Sequence, residues 1–212
     1  MAQEQRIRLA TLDDSEAILE IYAPYITGTA VTFEYQVPTL TEFRERMTTV
    51  QKSYPWLVCE IDKQIVGYAY ASRFREREAY NWSVSLSIYL KEDYHRKGIG
   101  KALYFALLEL LKLQGYFNAY VIVTMPNLKS ESFHEALGFK EIGVYHKAGY
   151  KLGSWHDIKC YELKIKEHLP SPPEPKSINE IINTDEFRAI IEKAEQILKL
   201  QAIGPRKKEK AE

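Results

Sequence analysis

His95-Arg96-Lys97-Gly98-Ile99-Gly100 is the stretch whose reading decides the fold. Before it, residues 82–90 alternate Val84, Leu86, Ile88 and Leu90 with Ser83, Ser85, Ser87 and Tyr89. That period of two predicts a strand with one apolar and one more polar face. After it, Ala102, Leu103, Phe105, Ala106, Leu107, Leu110 and Leu111 predict a largely buried helix closing near Gly115. A strand that turns through glycines into a helix exposes unpaired N–H groups at the positive end of the helix dipole. With no Cβ in the way, a phosphate can approach them closely. Gly-x-Gly alone occurs in many loops, so the neighbours must decide.

Downstream, 119–125 is a β-branched strand broken by Pro126-Asn127. A short helix over 130–137 ends at Gly138, and strands follow around 142–145 and 158–165. The segment 147–157, with two glycines, reads as a loop. Upstream, a strand starts at Ile7, and Thr11 to Asp14 can cap a helix carrying Ala17, Ile18, Ile21 and Tyr22 at helical spacing. Pro24 is expected to end or bend that helix. Residues 27–38 read as a loop, 39–50 as a second helix, and 56–61 with 65–72 as a hairpin turning at Asp62-Lys63-Gln64. Hairpins mixed with β/α units predict a mixed, mostly antiparallel sheet in an α/β fold.

The 212 residues are enough for one sizeable domain and an appendage. Composition breaks at Pro170-Ser171-Pro172-Pro173-Glu174-Pro175, a stiff linker. Beyond it, Phe187, Ile190, Ile191, Ala194, Ile197 and Leu198 form an apolar stripe, followed by the charged run 206–210. The expected division is therefore 1–168, a linker 169–176, and an amphipathic helix with its tail over 177–212. That helix packs on its own domain or on a second subunit. Twenty-nine basic residues balance 29 acidic ones, so no broad nucleic-acid surface is expected. No apolar run approaches a membrane span, and the first ten residues lack the apolar core of a secretory leader. Cys59 and Cys160 read as reduced thiols, which makes the cytoplasm the expected compartment. No metal-ligand constellation is read.

Taken together, Tyr80-Asn81-Trp82, Tyr89-Leu90, the 95–100 turn, Met125-Pro126-Asn127, His134 to Phe139, Ala148 to Lys151 and Gly153 to Asp157 resemble the GNAT family of acyl-CoA-dependent N-acyltransferases. The resemblance is to its phosphinothricin acetyltransferase branch and covers about residues 6–166. It implies a sheet whose central strands splay apart, flanking helices, acetyl-CoA as co-substrate, a small-molecule amine acceptor and a homodimer with the acceptor site near the interface. Donor contacts then fall on the backbone of Ile88 and Leu90, on His95, Arg96, Lys97, Gly98, Gly100 and Lys101 around the pyrophosphate, and on Asn127, Ser130 and Phe133. His95 departs from the family's usual Arg or Gln.

By the same resemblance His134 is the candidate for proton transfer. Phe33, Arg75, Arg77, Tyr80 and Trp155 line the acceptor site, where two guanidiniums suit an anionic amino acid or analogue. The branch carries a glutamate base where this chain has Ser85. Three outcomes stay open: His134 acts as base, water carries the proton away, or activity is altered or lost. Another amine, such as a polyamine or a protein N-terminus, is the alternative acceptor. A non-catalytic acyl-CoA-binding protein is the alternative to an enzyme.

Overall fold

The computed structural model describes residues 4–203. In chain order these form β1 (Gln5–Leu9), α1 (Ser15–Gly28), α2 (Leu40–Gln51), β2 (Trp56–Ile61), β3 (Gln64–Arg73), β4 (Ser83–Leu90), α3 (Ile99–Gln114), β5 (Asn118–Thr124), α4 (Leu128–Ala136), β6 (Lys140–Lys151), β7 (Ser154–Lys164), α5 (Ile178–Ile181) and α6 (Asp185–Ile203). The strands make one seven-stranded sheet in the order β1-β2-β3-β4-β5-β7-β6. Every pair is antiparallel except β4–β5, which is parallel. The mixed α/β sheet expected from the sequence is thus present. The charged run 206–210 lies outside the described residues.

Two apolar layers hold the sheet. On one face, Val84, Leu86, Ala119 and Val121 pack with α3, whose Ala102, Leu103, Ala106, Leu107, Leu110 and Leu111 are buried. Burying a leucine side chain contributes roughly 2 kcal/mol, which explains why α3 is apolar nearly all round. On the other face, Trp56, Val58 and Tyr68 pack with Ile18, Ile21, Tyr22 and Ile26 of α1 and Phe43 and Met47 of α2. The parity of β4 fixes what each side chain sees: Leu86 looks toward α3, while Ser85, Ser87 and Tyr89 share the α1/α2 face with their β3 partners Ser72, Tyr70 and Tyr68.

Two local expectations need correction. Of the two outcomes open at Pro24, an end is overturned: α1 continues through it to Gly28. The carbonyl left without its bond belongs to Glu20, which lies on the exposed side, and burial of Ile26 holds the final turn. The segment 147–157 is not a loop but the tip of the β6–β7 hairpin. Its turn is Leu152-Gly153, both with positive φ, at 51° and 77°. The glycines misled because they serve different ends: Gly153 makes the turn, while Gly149 leaves room for the Phe33 ring, which a Cβ there would strike. A bulge between Tyr145 and Gly149, with Lys147 at φ 50°, breaks the alternation that would mark the strand. Of the two placements open to the terminal helix, the chain adopts the first: α6 packs on α3 and β1 of its own chain, with Ala194 and Leu198 in the same apolar layer as α3.

Candidate active site

The central strands splay. β4 and β5 pair only at Ser83–Asn118, Val84–Ala119 and Ser85–Tyr120. From Leu86 and Val121 onward neither strand has a partner across the gap. Lys91 N–H donates to Val66 O on the β3 side, so alternation turns the backbone groups of Leu86, Ile88 and Leu90 into the gap. A strand-like chain segment can bond there. The Leu90 carbonyl, however, already accepts from the Tyr25 hydroxyl of α1 at 2.6 Å. That phenol oxygen also lies 3.2 Å from His95 Nε2.

Above the gap, Gly98 precedes α3 with φ 81°, and no side chain caps the helix. The first-turn N–H groups therefore point outward without an intrahelical acceptor. Arg96 adopts φ 58°; Arg96, Lys97 and Lys101 are exposed, and the Lys97 ammonium lies 4.6 Å from the Tyr94 ring centre. Gly100 serves packing as well as approach: a Cβ there would lie 3.1 Å from the Phe133 ring. Asn127 caps α4, its Oδ1 accepting from Ser130 N–H at 3.2 Å. Glu131 accepts from Asn127 N–H and from Lys159 Nζ, at 3.3 and 2.6 Å, and so ties this turn to β7.

His134 is buried near the end of α4. It is 2% exposed, ringed by Tyr104, Phe133, Phe139 and Tyr161. Its Nδ1–H donates to the Ser130 carbonyl at 2.7 Å, since a carbonyl only accepts. Nε2 then accepts from the Tyr104 hydroxyl at 3.0 Å. Both nitrogens are engaged. Burial pushes its pKa below the ordinary histidine value, only partly offset by the Ser130 bond.

On the α1/α2 face, the residues expected at the acceptor site divide into groups. Phe33 sits over Gly149 and beside His156, whose ring centre is 6.3 Å away. The Arg75 guanidinium lies between Phe74 and Tyr80, 5.1 and 5.4 Å from their ring centres. Phe74 in turn stacks on Tyr120 at 4.1 Å, beside Ser85 at the apex of the gap. Arg77 is exposed in the same connection. Trp155 stands apart: it is 61% exposed and packs edge-on to Tyr150, and strand parity sets it opposite His156.

The sequence of residues 7–159 matches the model of the acetyltransferase (GNAT) domain. The chain belongs to the GNAT acetyltransferase family. It is 36% identical over 178 residues to phosphinothricin N-acetyltransferase of Streptomyces viridochromogenes, covering 82% of this chain and 96% of that protein. It is 28% identical to an L-methionine sulfoximine/L-methionine sulfone acetyltransferase of Pseudomonas aeruginosa, covering 78% and 98%. A GNAT superfamily phosphinothricin acetyltransferase from Sinorhizobium meliloti, solved in complex with AcCoA, superposes with a TM-score of 0.76 at 32% identity, over 80% and 92% of the two chains.

As a GNAT acetyltransferase the protein uses acetyl-CoA as its acetyl donor. The gap fits that donor: the strand groups of Ile88 and the Leu90 N–H have no partner across it and suit amides, and the uncapped N–H groups of α3 suit a diphosphate. Sequence reasoning missed Tyr25, Tyr104, Glu34, Arg46 and Lys151. Glu34 accepts from Arg46 at 2.7 and 3.3 Å and from Tyr22 at 3.0 Å. Lys151, 3% exposed, donates to Thr32 O at 2.6 Å. Both hold the loop that carries Phe33. Their pairings span from 12 residues (Glu34) to 119 (Lys151) and follow no helix or strand period. Among the described residues no group of three or more His, Cys, Asp or Glu could hold a metal ion, and no helix is long and apolar enough to cross a membrane.

Proposed function

We propose that this acetyltransferase acetylates the amine of a small anionic amino acid or analogue of the phosphinothricin or methionine sulfone kind, by direct attack on the thioester. The observation that carries this reading is Arg75, held between Phe74 and Tyr80 above Tyr120, next to Ser85 where the strands part. A cation fixed there favours an acceptor with a carboxylate or phosphinate and disfavours a polyamine. Arg77 and Phe33 serve the same acceptor. The N–H groups after Gly98, with His95, Arg96, Lys97, Gly100 and Lys101, take the diphosphate. Ile88 and Leu90 take the pantetheine amides, and Asn127, Ser130 and Phe133 flank them. The backbone at the gap polarises the thioester carbonyl. We give His134 a positioning role, holding α4 through Ser130 and Tyr104.

In this reading residues 1–168 carry catalysis, 169–176 link, and α5 and α6 of the 177–212 extension brace the fold. Two free thiols support a cytoplasmic setting. Exposed Tyr35, Tyr145, Tyr150 and Trp155 cluster around the β6–β7 tip and the Phe33 loop and support a homodimer near the acceptor site.

The test is CoA release with phosphinothricin, methionine sulfone, spermidine and a peptide N-terminus as acceptors. The anionic amino acids should react fastest. Arg75→Ala should raise their KM roughly tenfold or more, with the KM for acetyl-CoA unchanged. Preference for spermidine would overturn the acceptor class. Tight acetyl-CoA binding without CoA release for any amine would overturn catalysis.

A further inference from the structure

The face on which an amine must approach the thioester has serines along β4: Ser83, Ser85 and Ser87. A serine takes no proton at neutral pH without a partner, and an ammonium has no lone pair with which to attack. A proton acceptor must therefore come from outside β4. His134 is the less favoured candidate, because both its nitrogens are engaged and it lies among aromatic rings of the opposite layer.

We propose that Glu34, on the loop between α1 and α2, is the carboxylate that takes the proton from the attacking amine. The inference rests on the acetyl-transfer reading above. Four observations carry it. First, Glu34 lies on the correct face: its partner Tyr22 packs edge-on against Tyr89 of β4, with ring centres 4.8 Å apart. Second, it is fixed in place. Arg46 donates to Oε1 at 2.7 Å and to Oε2 at 3.3 Å, and Tyr22 donates to Oε1 at 3.0 Å. Third, it keeps capacity. Oε2 carries only the longer contact, and a carboxylate oxygen offers two lone pairs. The side chain is one-third exposed, so a proton it takes can pass to solvent. Fourth, it adjoins the polar stripe of β4, since Tyr70, paired with Ser87 in register, lies close enough to feel both Arg46 and Glu34. The other charged group facing Glu34 is Lys151.

Glu162 is the competing carboxylate. It pairs with Tyr120, itself the partner of Ser85. Glu162 is exposed, and in register Tyr120, with Phe74 stacked on its ring, stands between Glu162 and Ser85.

In the proposed step the amine nitrogen bonds to the thioester carbonyl carbon. The carbon–sulfur bond breaks with its electron pair passing to sulfur. Before the attack Glu34 takes one proton from the ammonium and returns it to solvent, which frees the nitrogen lone pair; the second proton, shed once the carbon–nitrogen bond has formed, passes by way of solvent to the thiolate.

The experiment measures kcat across pH, with the best acceptor, for the full chain and for Glu34→Gln, Glu34→Asp, Ser85→Glu, Glu162→Gln and the double variant Glu34→Gln/Ser85→Glu. Glu34→Gln should lower kcat about a hundredfold and displace the profile to alkaline pH, where the amine is already free. Its acetyl-CoA affinity should be unchanged, which also reports folding. Glu34→Asp should keep part of the rate. The double variant should recover activity, because Ser85→Glu returns a carboxylate to β4. Glu162→Gln should behave as the parent. A parental kcat and profile in Glu34→Gln would overturn the proposal, and so would a lower kcat with an undisplaced profile, which makes Glu34 only a brace for Arg46. If the parent protein releases CoA with no amine, the acetyl-transfer reading falls and this inference with it.

Discussion

At the scale of one residue, His134 has a consequence for stability. Its ordinary pKa is 6.5, and burial lowers it in the folded chain, with the Ser130 bond opposing in part. The unfolded chain then binds a proton before the folded one does. Stability from this residue is complete above about 6.5 and falls as pH drops toward the folded pKa, by about 1.4 kcal/mol for each pH unit that separates the two pKa values. The urea midpoint should therefore decline below neutral pH. His134→Gln should start lower, having lost its ring packing, and decline less steeply between pH 7 and pH 5. Parallel declines would assign the acid loss to other groups. The sequence singles out His134 only through the family resemblance that the stretch His134 to Phe139 helps to carry. It hides Tyr104, because that contact depends on how α3 and α4 cross.

At the scale of elements, α1 reaches past its own layer. Ala17, Ile18, Ile21 and Tyr22 announce a helix by spacing alone, and Tyr25 follows Tyr22 by one turn. Its target, the Leu90 carbonyl, lies 65 residues further along the chain and carries no sequence mark. That bond fixes the end of β4 to which the proposed function assigns the donor amides. Close packing supports it: a Cβ at Gly67 would collide with the Leu90 side chain. Tyr25→Phe removes one hydrogen bond, worth about 1 kcal/mol. Calorimetry should find acetyl-CoA binding about fivefold weaker, while the acceptor KM stays unchanged. Equal donor affinity would mean that β4 holds its end without α1. The β6–β7 hairpin marks the opposite limit of legibility. Its bulge at 145–149 erases the period of two, and the glycine at 149 answers to Phe33, a residue far away in sequence.

At the scale of the molecule, the C-terminal extension changes what the fold contains. The Streptomyces relative is matched over 96% of its own length but only 82% of this chain, and the GNAT match ends at residue 159. Yet Ile178, Ile181, Ala194 and Leu198 are buried in the layer that contains α3. Glu195 accepts from Ile7 N–H at 3.1 Å, on the edge strand β1. Gln114 at the end of α3 donates to both Ser53 O and Lys176 O at 2.7 Å. The apolar stripe of α6 and the proline linker before it are plain in the sequence; the surface that receives them is not, because it is assembled from α3 and β1. A chain ending at residue 176 would expose the receiving face of α3. Four buried apolar side chains at roughly 1–3 kcal/mol each amount to several kcal/mol, a large share of the stability of a domain. Calorimetric melting of that truncated chain should fall on the order of 10 °C below the full chain, with new binding of a hydrophobic dye. An unchanged melting temperature would make the extension a passenger on a self-sufficient acetyltransferase domain. A lowered one, with acetyl-CoA binding retained at low temperature, would make it a brace that acts on stability without entering the active site.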